Sequence, residues 1–187
     1  MLRPVIMIGC GGSGEKAIRY VRDAVRRHLE HAGWEEGIPE AWQFLGLDTL
    51  VIQESAGEVP LLPGNDFKSV SSGIGNYGSL DSALMAIHPP GSPGYEEVIG
   101  WHPNPDQVRV PMLDGAGQMR ALGRVAGITS LSRVVGPKVQ EMFGKCANGA
   151  PELAAVSKIL GVSVPPGAVT PDPLVMVLGS MAGGTGA

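Results

Sequence analysis

Cysteine is almost missing: only Cys10 and Cys146 occur, too few for a disulfide framework and without zinc-like spacing. The four histidines, His28, His31, His88 and His102, form no HExxH-type pair, so no metal-ligand set is expected. Aromatic residues make up 5% of the chain, which leaves no stacking platform for single-stranded nucleic acid. A net charge of −4 argues against a broad nucleic-acid surface, while leaving a local basic patch open. No apolar run approaches the roughly 18 residues that span a bilayer. The start, MLRPVIMIGC, has too short an apolar run for a signal peptide and no cleavage pattern. What remains is a globular balance, 43% hydrophobic and 17% charged, at a length suited to one domain. These absences predict a cytoplasmic protein with no nucleic-acid partner and no membrane span.

Glycine and proline are plentiful, at 28 and 16 residues, and their placement organises the chain. RPVIMIG at 3–9 is a short apolar run that reads as a strand buried on both faces. Ala17, Val21, Ala24, Val25 and Leu29 then recur at helical spacing, predicting an amphipathic helix that ends near Gly33. Its basic residues, Arg19, Arg22, Arg26 and Arg27, read as a solvated face. AWQFLGLD at 41–48 is a second buried strand, which completes a βαβ unit and predicts a parallel sheet. Between about 54 and 112 the pattern dissolves into turn-rich segments, with one short helix expected around 80–87. Helical spacing returns at 118–143, weakened by Gly127, Gly136 and Pro137, and predicts a broken helix or two helices. A Pro/Gly stretch leads to a last strand at 174–178. The expected fold is α/β, a Rossmann-like, doubly wound, mostly parallel sheet with helices on both faces. It forms one truncated domain over 1–187, with loop-rich insertions at about 54–112 and 136–171.

The first strand runs into GCGGSGEK, residues 9–16. A strand that ends in glycines and opens a helix presents free N–H groups at the positive end of the helix dipole, a geometry that holds phosphate. Gly9, Gly11 and Gly14 satisfy the dinucleotide fingerprint GxGxxG, with Asp48 as its later acidic residue. A Walker A loop fails because Glu15 stands where lysine should follow the last glycine. A GxSxG nucleophile elbow fails as well, since Ser13 is followed by Gly14 and Glu15. The end of the chain, VLGSMAGGTGA, repeats the same logic. Gly183, Gly184 and Gly186 are expected to expose N–H groups, and Thr185 to offer a hydroxyl to phosphate. Two such loops at the carboxyl ends of parallel strands could grip one polyphosphate from two sides, where a dinucleotide domain normally uses one.

GSMAGGTGA resembles the signature of the tubulin/FtsZ superfamily, a strand ending in small residues, Met and GGGTG, with Ala182 in place of the first glycine. GCGGSGEKAI is similar to its first nucleotide loop, with Ser13 replacing a glycine and Lys16 lying where FtsZ has Asn. GAGQMRALGR at 115–124 resembles the FtsZ loop GAGxxPExGR without its proline and acid. GLDT at 46–49 falls where FtsZ carries NTD, with Leu50 in the place of the acid. The wording is most similar to the bacterial tubulin-like proteins. The resemblance covers 3–53, 113–135 and 172–187.

It implies GTP as ligand, with Mg²⁺ carried by the nucleotide, and head-to-tail self-association coupled to hydrolysis in the intact protein. Gly11, Gly12, Ser13, Gly14 and Lys16 would belong to the first nucleotide loop and Asp48 to the second. Ala116 and Gly117 would lie near the γ-phosphate, and Gly183, Gly184, Thr185 and Gly186 would complete the cradle. The catalytic acids would come from a later loop of a neighbouring subunit, so no catalytic residue is assigned and weak or absent GTPase activity is expected of these 187 residues. The last strand, lacking its following helix, should leave one sheet face poorly covered. Arg120 and Arg124 remain open between phosphate contact and helix surface. Two rival readings stand: an NAD- or FAD-binding Rossmann oxidoreductase, and a tubulin-like scaffold without turnover.

Overall fold

The computed structural model describes residues 2–55, 58–71, 74–109, 111–117, 119–163 and 171–186. Four parallel strands form one sheet: β1 (Val5–Cys10), β2 (Trp42–Asp48), β3 (Phe67–Ser69) and β4 (Leu174–Gly179), in the order β3-β2-β1-β4. Register sets Gly9 opposite Gly46 on one side and Leu178 on the other. Successive strand residues face opposite sides of a sheet. Ile6, Ile8, Leu45 and Leu47 therefore share one face and pack on Met142 and Cys146 of α5 (Gly136–Asn148). Met7 and Phe44 share the other face with Ile18 of α1 (Gly11–His31) and Leu62. Both faces of the central strands are covered, which is why β1 and β2 read as unbroken apolar runs.

Strand order reverses at β1, with β2 on one side and β4 on the other. In α/β sheets such a reversal is where ligands bind, outside the carboxyl ends of the strands. β4 is the edge strand of the described sheet and is poorly covered. Leu174, Val175, Met176 and Val177 are 42%, 45%, 40% and 67% exposed, so the expected bare apolar surface lies there.

The segment 54–112 is more ordered than expected. It contains β3, α2 (Tyr77–Ile87) and α3 (Tyr95–Ile99), and Asn76 caps α2 by accepting the Ser79 N–H at 3.0 Å. Both helices are short and bounded by Pro and Gly, so their periodicity does not stand out from the surrounding turns. Tyr77, Leu80, Leu84, Val98 and Met112 form a core with Ala116 and with Leu122, Val125 and Ala126 of α4 (Arg120–Ser130). The supposed insertion is thus the packing floor beneath the 115–117 loop.

The broken helix expected at 118–143 is observed as α4, a π turn at Leu131–Val135, and α5. Pro137 has no N–H and would crowd the carbonyl four residues back in a regular helix. The wider turn accommodates it, with the Gly136 N–H donating to the Leu131 carbonyl. Much of 136–159 is helical, through α5 and α6 (Ala150–Ile159), which corrects the loop-rich expectation there as well. Of the Pro/Gly stretch before β4, residues 164–170 lie outside the described residues.

One face of α1 also differs from expectation. Gly14, Glu15, Ile18, Arg19 and Leu29 are its buried residues, while Ala24 is exposed. Arg19, expected in solvent, is 4% exposed.

Candidate functional site

A cleft of about 210 Å³ lies at the carboxyl ends of β1, β2 and β4. Of the residues expected at a ligand, Gly11, Gly12, Ser13, Asp48, Gly117, Gly183, Gly184, Thr185 and Gly186 line it. Gly14, Lys16 and Ala116 do not. Lys16 is exposed on α1, Ala116 is 1% exposed in the core beneath the third loop, and Gly14 is buried behind the first.

Close backbone approach explains the glycines better than ligand contact does at several positions. A Cβ built on Gly14 would sit 2.3 Å from the Leu178 carbonyl oxygen, so the first turn of α1 lies directly on β4. Gly11 takes φ +71°, which glycine adopts without the Cβ penalty of other residues. Cys10, the N-cap of α1, supplies no side-chain hydrogen bond, and the first turn carries no acid. Gly11, Gly12 and Ser13 of that turn line the cleft with no side-chain cap from Cys10, at the positive end of a 21-residue helix.

The other loops are joined by one carboxylate. Asp48 is 5% exposed, and its Oδ1 accepts from the Thr49 N–H at 2.6 Å and from the Thr185 hydroxyl at 3.0 Å. Thr49 Oγ1 accepts the Ala116 N–H at 2.8 Å and lies 3.2 Å from Thr185 Oγ1. The Gly184 N–H donates to the Gly117 carbonyl at 2.9 Å. Below, the Ser69 and Ser71 hydroxyls both donate to the Thr49 carbonyl, tying β3 to the same point. The second, third and fourth loops thus form one hydrogen-bonded unit.

This unit corrects two details. The N–H groups of Gly183 and Gly184 are taken by the Ser180 and Gly117 carbonyls, so they are not exposed donors. The Thr185 hydroxyl proton is committed to Asp48.

Sequence reasoning assigned no role to Cys10, Glu54 or Asp114, which also line the cleft. Glu54 carries no motif signal, sitting in what read as loop; Asp114 directly precedes the GAG triplet and was within reach. Burial and the neighbouring Asp48 charge raise the Cys10 thiol, which keeps it protonated. Among the described residues the lining side chains include the carboxylates Asp48, Glu54 and Asp114 and no lysine or arginine. Arg124 points elsewhere: its guanidinium lies 4.2 Å over the Trp101 ring and 3.9 Å from Glu97. No group of three or more His, Cys, Asp or Glu among the described residues is arranged to hold a metal ion by itself. No helix among them is long and apolar enough to cross a membrane.

Fold and cleft define an α/β protein with a parallel sheet, flanked by helices, whose strand ends carry glycine-rich loops. The family model described as "Tubulin like" matches residues 6–187, and the chain belongs to that family. No curated protein and no solved structure matches the chain.

Proposed function

We propose that this chain carries the phosphate-binding half of a GTP site and that the intact protein is a polymerising, tubulin-type GTPase of the cytoplasm. The observation that carries this reading is the convergence of three glycine-bearing loops and the Asp48–Leu50 segment on one cleft, with a helix start that has no side-chain cap at its wall. The N–H groups of Gly11, Gly12 and Ser13 would hold the α- and β-phosphates. Gly117, Thr185 and Gly186 would face the terminal phosphate. Mg²⁺ bound to the nucleotide supplies the countercharge that a wall bearing three carboxylates and no basic side chain requires. No side chain of the cleft is assigned a catalytic role. The catalytic acid is contributed by a neighbouring subunit in a head-to-tail filament.

Calorimetric titration with GTP, ATP and NADH in Mg²⁺ buffer tests the reading. GTP binding that weakens less than about tenfold in Thr185→Val, because its hydroxyl proton is exchanged between Asp48 and phosphate rather than gained outright, is the expected result. Binding of NADH alone, or of none of the three, overturns it. One observation favours the scaffold reading as the alternative: Leu50 occupies the place of an acid and packs its side chain against Gly115. GTP binding without polymer formation by light scattering would decide for the scaffold.

A further inference from the structure

Arg19 projects from α1 into the protein, where its guanidinium binds three main-chain carbonyls of one connection. Nη1 donates to Glu54 at 2.9 Å, Nη2 to Val59 at 2.8 Å and Nε to Pro60 at 3.1 Å. Glu15, one turn earlier and 2% exposed, sits 3.6 Å from Nη1 and balances the charge. Gly46 leaves the space that Glu15 fills, since a Cβ there would meet its Cγ at 3.1 Å. The connection is pinned from its other flank too: Gln53 donates to the Leu62 carbonyl and accepts the Leu62 N–H, both at 2.9 Å. Glu54 is therefore held between two fixed points. Its side chain turns to the cleft, with Oε2 3.7 Å from where a Gly12 Cβ would lie, beside the uncapped first turn of α1.

We propose that Arg19 is a positioning residue that fixes Glu54 over the first loop, where the Glu54 carboxylate screens the cleft against phosphate chains that carry no cation. The proposal rests on the phosphate reading above and adds a rule of entry to it. A planar fork reaches three carbonyls of one connection, while a lysine ammonium at the same place is a point charge on a flexible stem. A fixed negative charge beside the phosphate-facing N–H groups opposes a bare polyanion and is offset when the ligand brings a divalent ion.

The test uses inorganic tripolyphosphate, with and without saturating Mg²⁺, on the whole chain. Glu54→Gln should tighten metal-free binding about fivefold, and Mg²⁺-saturated binding less than about twofold, because partial exposure and salt screen the charge. Arg19→Lys should shift affinity in the same direction and speed amide hydrogen exchange at Glu54, Glu58 and Val59. Unchanged or weaker metal-free binding in Glu54→Gln overturns the screen. Wild-type exchange rates at Glu54, Glu58 and Val59 in Arg19→Lys overturn the clamp, whatever the ligand does. If the wild type binds neither tripolyphosphate nor GTP, the phosphate reading falls and the screen falls with it. If it binds both and Glu54→Gln changes nothing, the screen alone falls.

Discussion

Gly123 offers the sharpest test of how the third and fourth loops are joined. It lies in the first turns of α4, and a Cβ built there would stand 1.8 Å from the Gly184 carbonyl oxygen and 3.0 Å from the Thr185 nitrogen. Helix propensity alone favours Gly123→Ala by about 1 kcal/mol. The contact opposes it, because carbon and oxygen need roughly 1.5 Å more separation and both sides are backbone, where overpacking costs about 1–3 kcal/mol or more. Moving Gly184 away also strains its 2.9 Å bond to Gly117, worth about 1 kcal/mol. The net expectation is a loss of about 2 kcal/mol, or roughly 4–8 °C in Tm for a chain of this size. Gly127 in α4 and Gly144 in α5 serve as controls, since a Cβ on either meets nothing within 4 Å. Gly127→Ala and Gly144→Ala should each gain up to about 1 kcal/mol. Urea and thermal unfolding of the three variants, with GTP titration alongside, decides the matter. If Gly123→Ala matches Gly127→Ala in both stability and binding, the two loops are not in the contact described.

Two further predictions concern ionisable groups away from the cleft. Burial and the nearby Asp81 charge push the Tyr77 phenol up to about 12. Alkaline absorbance titration should show a tyrosine component near that pH that disappears in Tyr77→Phe, and the stability Tyr77 contributes should be lost as pH rises from 10 toward 12. Glu141 is held down to about 2, first by its hydrogen bonds from Lys145 and Lys138. A depressed carboxylate stabilises above its unfolded pKa and loses that contribution as pH falls through the folded one. Glu141→Gln should therefore be less stable than wild type at pH 7 by under about 1 kcal/mol, given solvent screening of a half-exposed pair. The gap should close as pH falls from 4.5 toward 2 in acid unfolding curves.

The parts of the fold that were legible in the sequence are those where one residue type serves one physical demand. β1, β2 and β4 announce themselves because apolar side chains face both sides of the sheet. The glycine runs announce the cleft because only glycine permits such close backbone approach. Elsewhere one residue type serves two demands. Gly14 and Ala116 sit in ligand-loop motifs yet pack loops together. Arg19 has the side chain of a solvated face, and helical periodicity alone does not distinguish a surface arginine from a buried one holding three carbonyls. Residues 77–101 read as mostly turn-rich because their helices are short and bounded by Pro and Gly. Their role emerges only from the long-range contacts of Tyr77, Leu80 and Leu84 with α4.

The joining of three loops through Asp48 has a consequence for how the proposed site responds to its ligand. Thr185 donates its hydroxyl proton to Asp48, so a phosphate oxygen that takes this proton breaks that bond. Hydrogen bonds to a carboxylate are worth about 1.5–3 kcal/mol each. The ligand must supply an equivalent partner, or Asp48 must find another donor. Asp48 is 5% exposed and also accepts the Thr49 N–H, and Thr49 in turn accepts the Ala116 N–H. Two short bonds therefore link the group that Thr185 binds to the third loop. In the proposed site a phosphate on Thr185 would be joined to Ala116 by this path. Ala116 belongs in turn to the core formed with α2 and α4.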